Sequence, residues 1–83
     1  MYQIIFTNRA KKDLKKIDKR YLLKISKYLD LLKINPFVGQ KMEGEYKNFY
    51  KIKIPPIRLI YITDFINKTI WIQTIGHRGD VYK

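Results

Sequence analysis

Residues 46–82 read YKNFYKIKIPPIRLIYITDFINKTIWIQTIGHRGDVY, and this stretch decides the fold. β-Branched and aromatic residues dominate it, which suits the pleated, half-buried surface of strands. Pro55-Pro56 and Asn67-Lys68 interrupt the run. Proline removes a ladder donor and asparagine favours turns, so the stretch reads as three strands in an antiparallel meander. Basic residues lie inside those strands: Lys51 and Lys53 in the first, Arg58 in the second, with His77 and Arg78 after the third. Side chains two apart on a strand share a face, so Lys51 and Lys53 project together, and a meander brings Arg58 and Arg78 beside them.

The residues ahead of this meander read as its support. Tyr2 to Phe6 is a short apolar run and predicts a first strand. Thr7 or Asn8 can cap the helix that follows, by accepting a bond from a free helical N–H. Ala10, Leu14, Ile17 and Tyr21 then recur at helical spacing, with a break expected at Asp18 to Arg20. A second helix carries Leu22, Ile25, Leu29 and Leu32 on one stripe and ends before Asn35-Pro36, because the residue ahead of proline is pushed out of the α region. Phe37 to Glu45, with Gly39 and Gly44, reads as a loop. The expected fold is therefore α+β: an N-terminal strand and a helical hairpin packed on an antiparallel sheet, in one domain over residues 1–83.

Charge narrows the partner. The chain carries 18 Lys and Arg against 7 Asp and Glu, a net charge of +11. Such an excess repels itself in a compact fold and points to a polyanion, with nucleic acid ahead of an acidic protein or an anionic membrane. Lys11, Lys12, Lys15 and Lys16 on the first helix, and Lys47 before the meander, are candidate phosphate contacts; the competing reading of each is an ordinary solvated lysine. There is no cysteine, which excludes disulfides and thiolate metal sites. No apolar run is long enough to cross a bilayer, and the opening residues lack a secretory leader, so a cytoplasmic protein is expected.

Conventional catalysis is hard to build from this set. A single histidine rules out paired-histidine chemistry, and the carboxylates Asp13, Asp18, Asp30, Glu43, Glu45, Asp64 and Asp80 are scattered. No cofactor or metal site is expected. Clustered cations on a sheet still suffice to cleave RNA, because the 2′-OH is an internal nucleophile. The protein need only align it, stabilise the added negative charge and handle two protons. Crowding by other cations lowers a lysine pKa toward the range of a useful base, and arginine clamps phosphate oxygens bidentately.

With these residues in view, nearly the whole chain resembles the RelE/ParE superfamily of toxins from toxin–antitoxin pairs. The resemblance rests on YQIIFT followed by AKKDLKKI, on Leu29, Leu32, Asn35 and Pro36 at the end of the second helix, and on Gly44. Its most specific parts are YKIKI from Tyr50 to Ile54, IRLIY from Ile57 to Tyr61, and IGHRGDVY from Ile75 to Tyr82. The resemblance implies a ribosome-dependent endoribonuclease that cuts mRNA in the A site without a metal and leaves a 2′,3′-cyclic phosphate. It implies Lys51 as activator of the 2′-OH, Lys53 and Arg58 on the phosphate, Arg78 at the leaving 5′-oxygen and Tyr82 against a nucleotide. It also implies two partners, an acidic, partly disordered antitoxin and the ribosome with its mRNA.

A gyrase inhibitor of the same fold, or a non-catalytic RNA-binding module, remains an alternative. Within the chain other readings stay open too. Lys51 and Lys53 can serve to discourage sheet-edge aggregation, and Arg58 or Arg78 can pair with Asp64 or Asp80. His77, whose ordinary pKa lies near neutrality, is a reserve acid or base. Trp71, Phe49, Tyr21 and Tyr28 are expected in the core, and Tyr61 in either core or site. Pro55-Pro56-Ile57 departs from the glycine-containing turn usual before the arginine, and the chain stops at Lys83 where many relatives continue into a helix.

Overall fold

A computed structural model describes residues 1–77. β1 (Gln3–Phe6) leads into α1 (Asn8–Lys15) and α2 (Lys19–Ile34). β2 (Gln40–Lys41) and a 3₁₀ turn (Gly44–Tyr46) precede β3 (Phe49–Ile54), β4 (Ile57–Asp64) and β5 (Thr69–His77). The strands form one five-stranded sheet in the order β1-β5-β4-β3-β2. The β3–β4–β5 meander is antiparallel as expected, whereas β1 pairs in parallel with β5, making the sheet mixed. The segment expected to be all loop contributes β2, whose two residues pair with Tyr50 and Lys51.

Local chemistry fixes the helices. Thr7 is the cap of α1, its hydroxyl accepting from the Ala10 N–H at 3.1 Å. The break comes slightly earlier than the apolar spacing suggested: α1 ends at Lys15, and Asp18 caps α2 by accepting from the Arg20 N–H at 3.0 Å. Tyr21 therefore starts the second helix instead of closing the first. Ala10, Ile25 and Leu32 are buried against Ile52, Ile54, Ile57, Leu59, Tyr61, Ile70, Ile72 and Ile75, so the hairpin covers one face of the sheet. Burying a Leu or Ile side chain of this kind contributes about 1.5–3 kcal/mol. Trp71 falls outside this core. It stands opposite Ile62 on the other face and is 38% exposed, because its neighbours Ile70 and Ile72 take the core-facing positions.

Tyr61 resolves as a core residue that anchors the loop after α2. Its hydroxyl donates to the Pro36 carbonyl at 2.7 Å and accepts from the Gly39 N–H at 2.9 Å. Its ring stacks on Tyr50 with centroids 5.5 Å apart. Glycine is required at 39, where an added Cβ would meet the Lys51 carbonyl oxygen and the Tyr61 hydroxyl, each at 2.8 Å. Burial pushes the Tyr61 phenol up to about 12. A raised folded-state pKa means that its contribution is complete below pH ~10, the unfolded value, and is lost as pH rises through about 12. Tyr61→Phe leaves the Gly39 N–H without its acceptor and is expected to cost about 1–3 kcal/mol at pH 7. In chemical denaturation the gap between wild type and variant should narrow above pH ~10; a constant gap would contradict this account of the hydroxyl.

Candidate functional site

Register places the cations. Lys53 pairs directly with Arg58 across the β3–β4 hairpin, and Arg58 pairs with Gly76 of β5. Directly opposed residues share a face, and this face is the one opposite the helices, since the alternate residues Ile52, Ile54, Ile57 and Leu59 lie in the core. Lys51, two residues before Lys53, joins the same face opposite Ile60. Gly76 has no side chain to fill the position beside Arg58. Lys53 and Arg58 line one recess of about 320 Å³ with Pro55, Pro56 and Ile57. The Pro55-Pro56 turn thus preserves the pairing of the two cations, with Ile54 opposite Ile57 closing the hairpin.

The remaining candidates are distributed differently. His77 ends β5 opposite Ile57, one residue out of phase with Arg58, so it is exposed at the sheet's end on the helix-covered side. Arg78 and Tyr82 lie outside the described residues. Lys11, Lys12, Lys15 and Lys16 are exposed on α1, and Lys11 and Lys15 border a groove with Ile4, Phe6, Leu14 and Leu22. That groove lies on the β1 side, separated from β3 by β4 and β5. Lys47 is exposed just ahead of β3. Lys24 and Lys27 of α2 instead line a groove of about 410 Å³ with Tyr28, Lys53 and Pro55. Their three-residue spacing off the apolar stripe was the available sequence signal.

Asp64 is no partner for Arg58. It lies at the far end of β4, roughly 20 Å away along the strand, and its carboxylate accepts from Asn67 and Ile66 in the β4–β5 turn. The Asn67 hydrogen bonds hold its pKa below the usual carboxylate range. Asp80 lies outside the described residues. Among the described residues no three acidic or histidine side chains gather in a way that could hold a metal ion, and no helix is long and apolar enough to cross a membrane.

Asp13 has a role that its place in a lysine-rich helix did not reveal. Its Oδ2 accepts from the Thr74 hydroxyl at 2.8 Å and from the Ile75 N–H at 3.1 Å, tying α1 to the part of β5 that β1 does not reach.

Known toxins match this chain in sequence and in fold. Toxin RelG of Mycobacterium tuberculosis is 29% identical over 84 residues, covering 99% of this chain and 97% of that protein. The toxin in the RelBE2 toxin–antitoxin complex of the same organism superposes with a TM-score of 0.83 at 28% identity, over 93% of this chain and 98% of that one. The isolated E. coli RelE toxin does so with a TM-score of 0.84 at 25% identity, over 99% and 92%. Residues 4–82 match the family model of the ParE toxin of type II toxin–antitoxin systems. The chain accordingly belongs to the RelE/ParE superfamily and is a toxin of a type II toxin–antitoxin system.

Proposed function

We propose that the protein is a ribosome-dependent endoribonuclease that cleaves mRNA in the A site. The observation that carries this reading is the direct opposition of Lys53 and Arg58, with Lys51 on the same face and glycine beside them. Lys51 takes the proton of the 2′-OH as the 2′-oxygen attacks the adjoining phosphorus. Lys53 and Arg58 hold the non-bridging oxygens, on which charge accumulates. The bond from phosphorus to the 5′-oxygen breaks, Arg78 stabilises or protonates that oxygen, and a 2′,3′-cyclic phosphate remains. Tyr82 orients a nucleotide. The ribosome holds the mRNA in the geometry that so small a site does not impose by itself.

A gyrase-binding inhibitor is the second reading, favoured by the ParE description of the matching family model. Addition of the purified protein to a translating extract separates the two. Codon-phased 5′ ends that appear only when ribosomes are present are expected. Loss of DNA supercoiling with intact mRNA would replace the nuclease by the gyrase inhibitor.

The partner of the resting state is an acidic antitoxin segment, as the net charge of +11 and the toxin–antitoxin complexes among the similar structures support. The groove of Ile4, Phe6, Leu14 and Leu22, bordered by Lys11 and Lys15, offers apolar anchoring with basic margins. Inhibition follows if the segment covers Lys51, Lys53 and Arg78 or displaces the tail from Asp80 to Lys83. Long-range charge steers the encounter, so the association rate with the protein encoded beside this one should fall roughly ten-fold or more from low to physiological salt, and dissociation should change less. A salt-independent association rate would exclude electrostatic capture.

A further inference from the structure

The sheet face that carries Lys51, Lys53 and Arg58 is not cationic along its whole length. Phe49 precedes Lys51 by two residues on β3, so it shares that face roughly 7 Å away along the strand. Tyr46, in the 3₁₀ turn before β3, meets Phe49 edge-on with ring centroids 6.2 Å apart. Both rings are half-buried, and they pack on Met42 and Ile60 in a small cluster separate from the main core. Ile60 is the residue directly opposite Lys51. Tyr46, Phe49 and Ile60, with Arg9, Gln73 and Thr74, line a recess of about 300 Å³. Two half-buried aromatic rings, an isoleucine and polar side chains, two residues along β3 from Lys51, make a chemistry suited to a single planar heteroaromatic ring.

We propose that this recess is a nucleobase subsite, in which Tyr46 and Phe49 receive one base of the RNA strand whose reacting 2′-OH lies at Lys51 and whose phosphate lies on Lys53 and Arg58. The proposal rests on the nuclease reading above and adds to it the element that reads the substrate. Stacking on the rings holds any base, and the Gln73 amide supplies a donor and an acceptor that can distinguish one base edge from another. Steps of two residues along β3 match an extended strand that places a base at Phe49 while its neighbouring phosphate reaches Lys53. The row Phe49–Lys51–Lys53 thereby sets the direction in which the RNA crosses the sheet.

The test uses ribosomes programmed with mRNAs that differ only at one A-site codon position at a time. Wild-type protein should show a base preference at one position. Tyr46→Leu and Phe49→Leu, each confirmed folded by its melting curve, should lower cleavage by about ten- to hundred-fold, in line with the loss of one stacked base, and should flatten that preference. With wild-type protein, 4-thiouridine at the preferred position should photocrosslink within residues 43–50, on an mRNA made uncleavable by a 2′-deoxy sugar at the cut. Wild-type cleavage with an unchanged preference profile in both folded variants, or crosslinks only elsewhere, overturns the base subsite and leaves the nuclease reading standing. Absence of cleavage by the wild type overturns both.

Discussion

Arg58→Ala is expected to lower ribosome-dependent mRNA cleavage by about 10²–10³-fold, the usual cost of deleting one group that stabilises charge developing in a transition state. The expectation follows from position. Arg58 opposes Lys53 on one side and Gly76 on the other, so β5 places no side chain directly beside it on the sheet face. The charge on the phosphoryl oxygens rises as the 2′-oxygen attacks, and a fixed bidentate cation stabilises that state more than the ground state. Lysine at this position restores the charge without the fork and should recover only part of the rate. Stability should change little, because the core on the opposite face is untouched. Single-turnover cleavage on programmed ribosomes reads the effect; a rate within three-fold of wild type would remove Arg58 from the chemistry.

Asp13→Ala should cost the fold about 2 kcal/mol or more, a large loss for a surface carboxylate, and it should do so through β5. The outer edge of β5 is paired with β1 only as far as Ile72. Beyond that point the helix side takes over: the Thr7 hydroxyl donates to the Gln73 carbonyl at 3.0 Å, and Asp13 accepts from Thr74 and Ile75. Ile75 is buried, so removal of the carboxylate leaves its N–H without a partner, at a cost of about 1–3 kcal/mol, and the Thr74 hydroxyl is orphaned with it. For a domain of this size each kcal/mol lowers Tm by about 4–8 °C. Asp13→Asn keeps one acceptor oxygen and should retain much of the stability. Hydrogen exchange at Ile75 should accelerate in the alanine variant. A Tm within about 2 °C of wild type, with Ile75 still protected, would show that the contact is incidental. Because the same strand end delivers Gly76 beside Arg58, cleavage should fall along with stability.

The meander and its cation face were legible because a period of two is the simplest code a sequence carries. YKIKI followed by a two-proline break and IRLIY specifies both the pairing and the side on which Lys51, Lys53 and Arg58 emerge. Trp71 defeated the same code. In TIWIQTI every residue suits a strand, so the pattern does not say which alternate set faces the helices, and a shift in register between Ile60 and Tyr61 further breaks the alternation. The parallel pairing of β1 with β5 joins residues 66 positions apart, and nothing local records it. β2 is only two residues long, too short for any periodicity. Asp13 looked like one carboxylate among lysines, and its bond to Ile75 is visible only once α1 is laid along the free edge of β5. Spacing puts Lys24 and Lys27 on one side of α2, but only the packing of α2 brings them beside Lys53.

In the proposed reaction this cation face cleaves RNA through the substrate's own 2′-OH. Ribosomes carrying an mRNA with a single 2′-deoxy sugar on the 5′ side of the expected cut, compared with the all-ribose mRNA, test it most directly. The ribose substrate should be cut to a 2′,3′-cyclic phosphate end, and the deoxy substrate should stay intact at that position. Cleavage of both at equal rates, or of neither while DNA supercoiling is lost, would contradict this reaction.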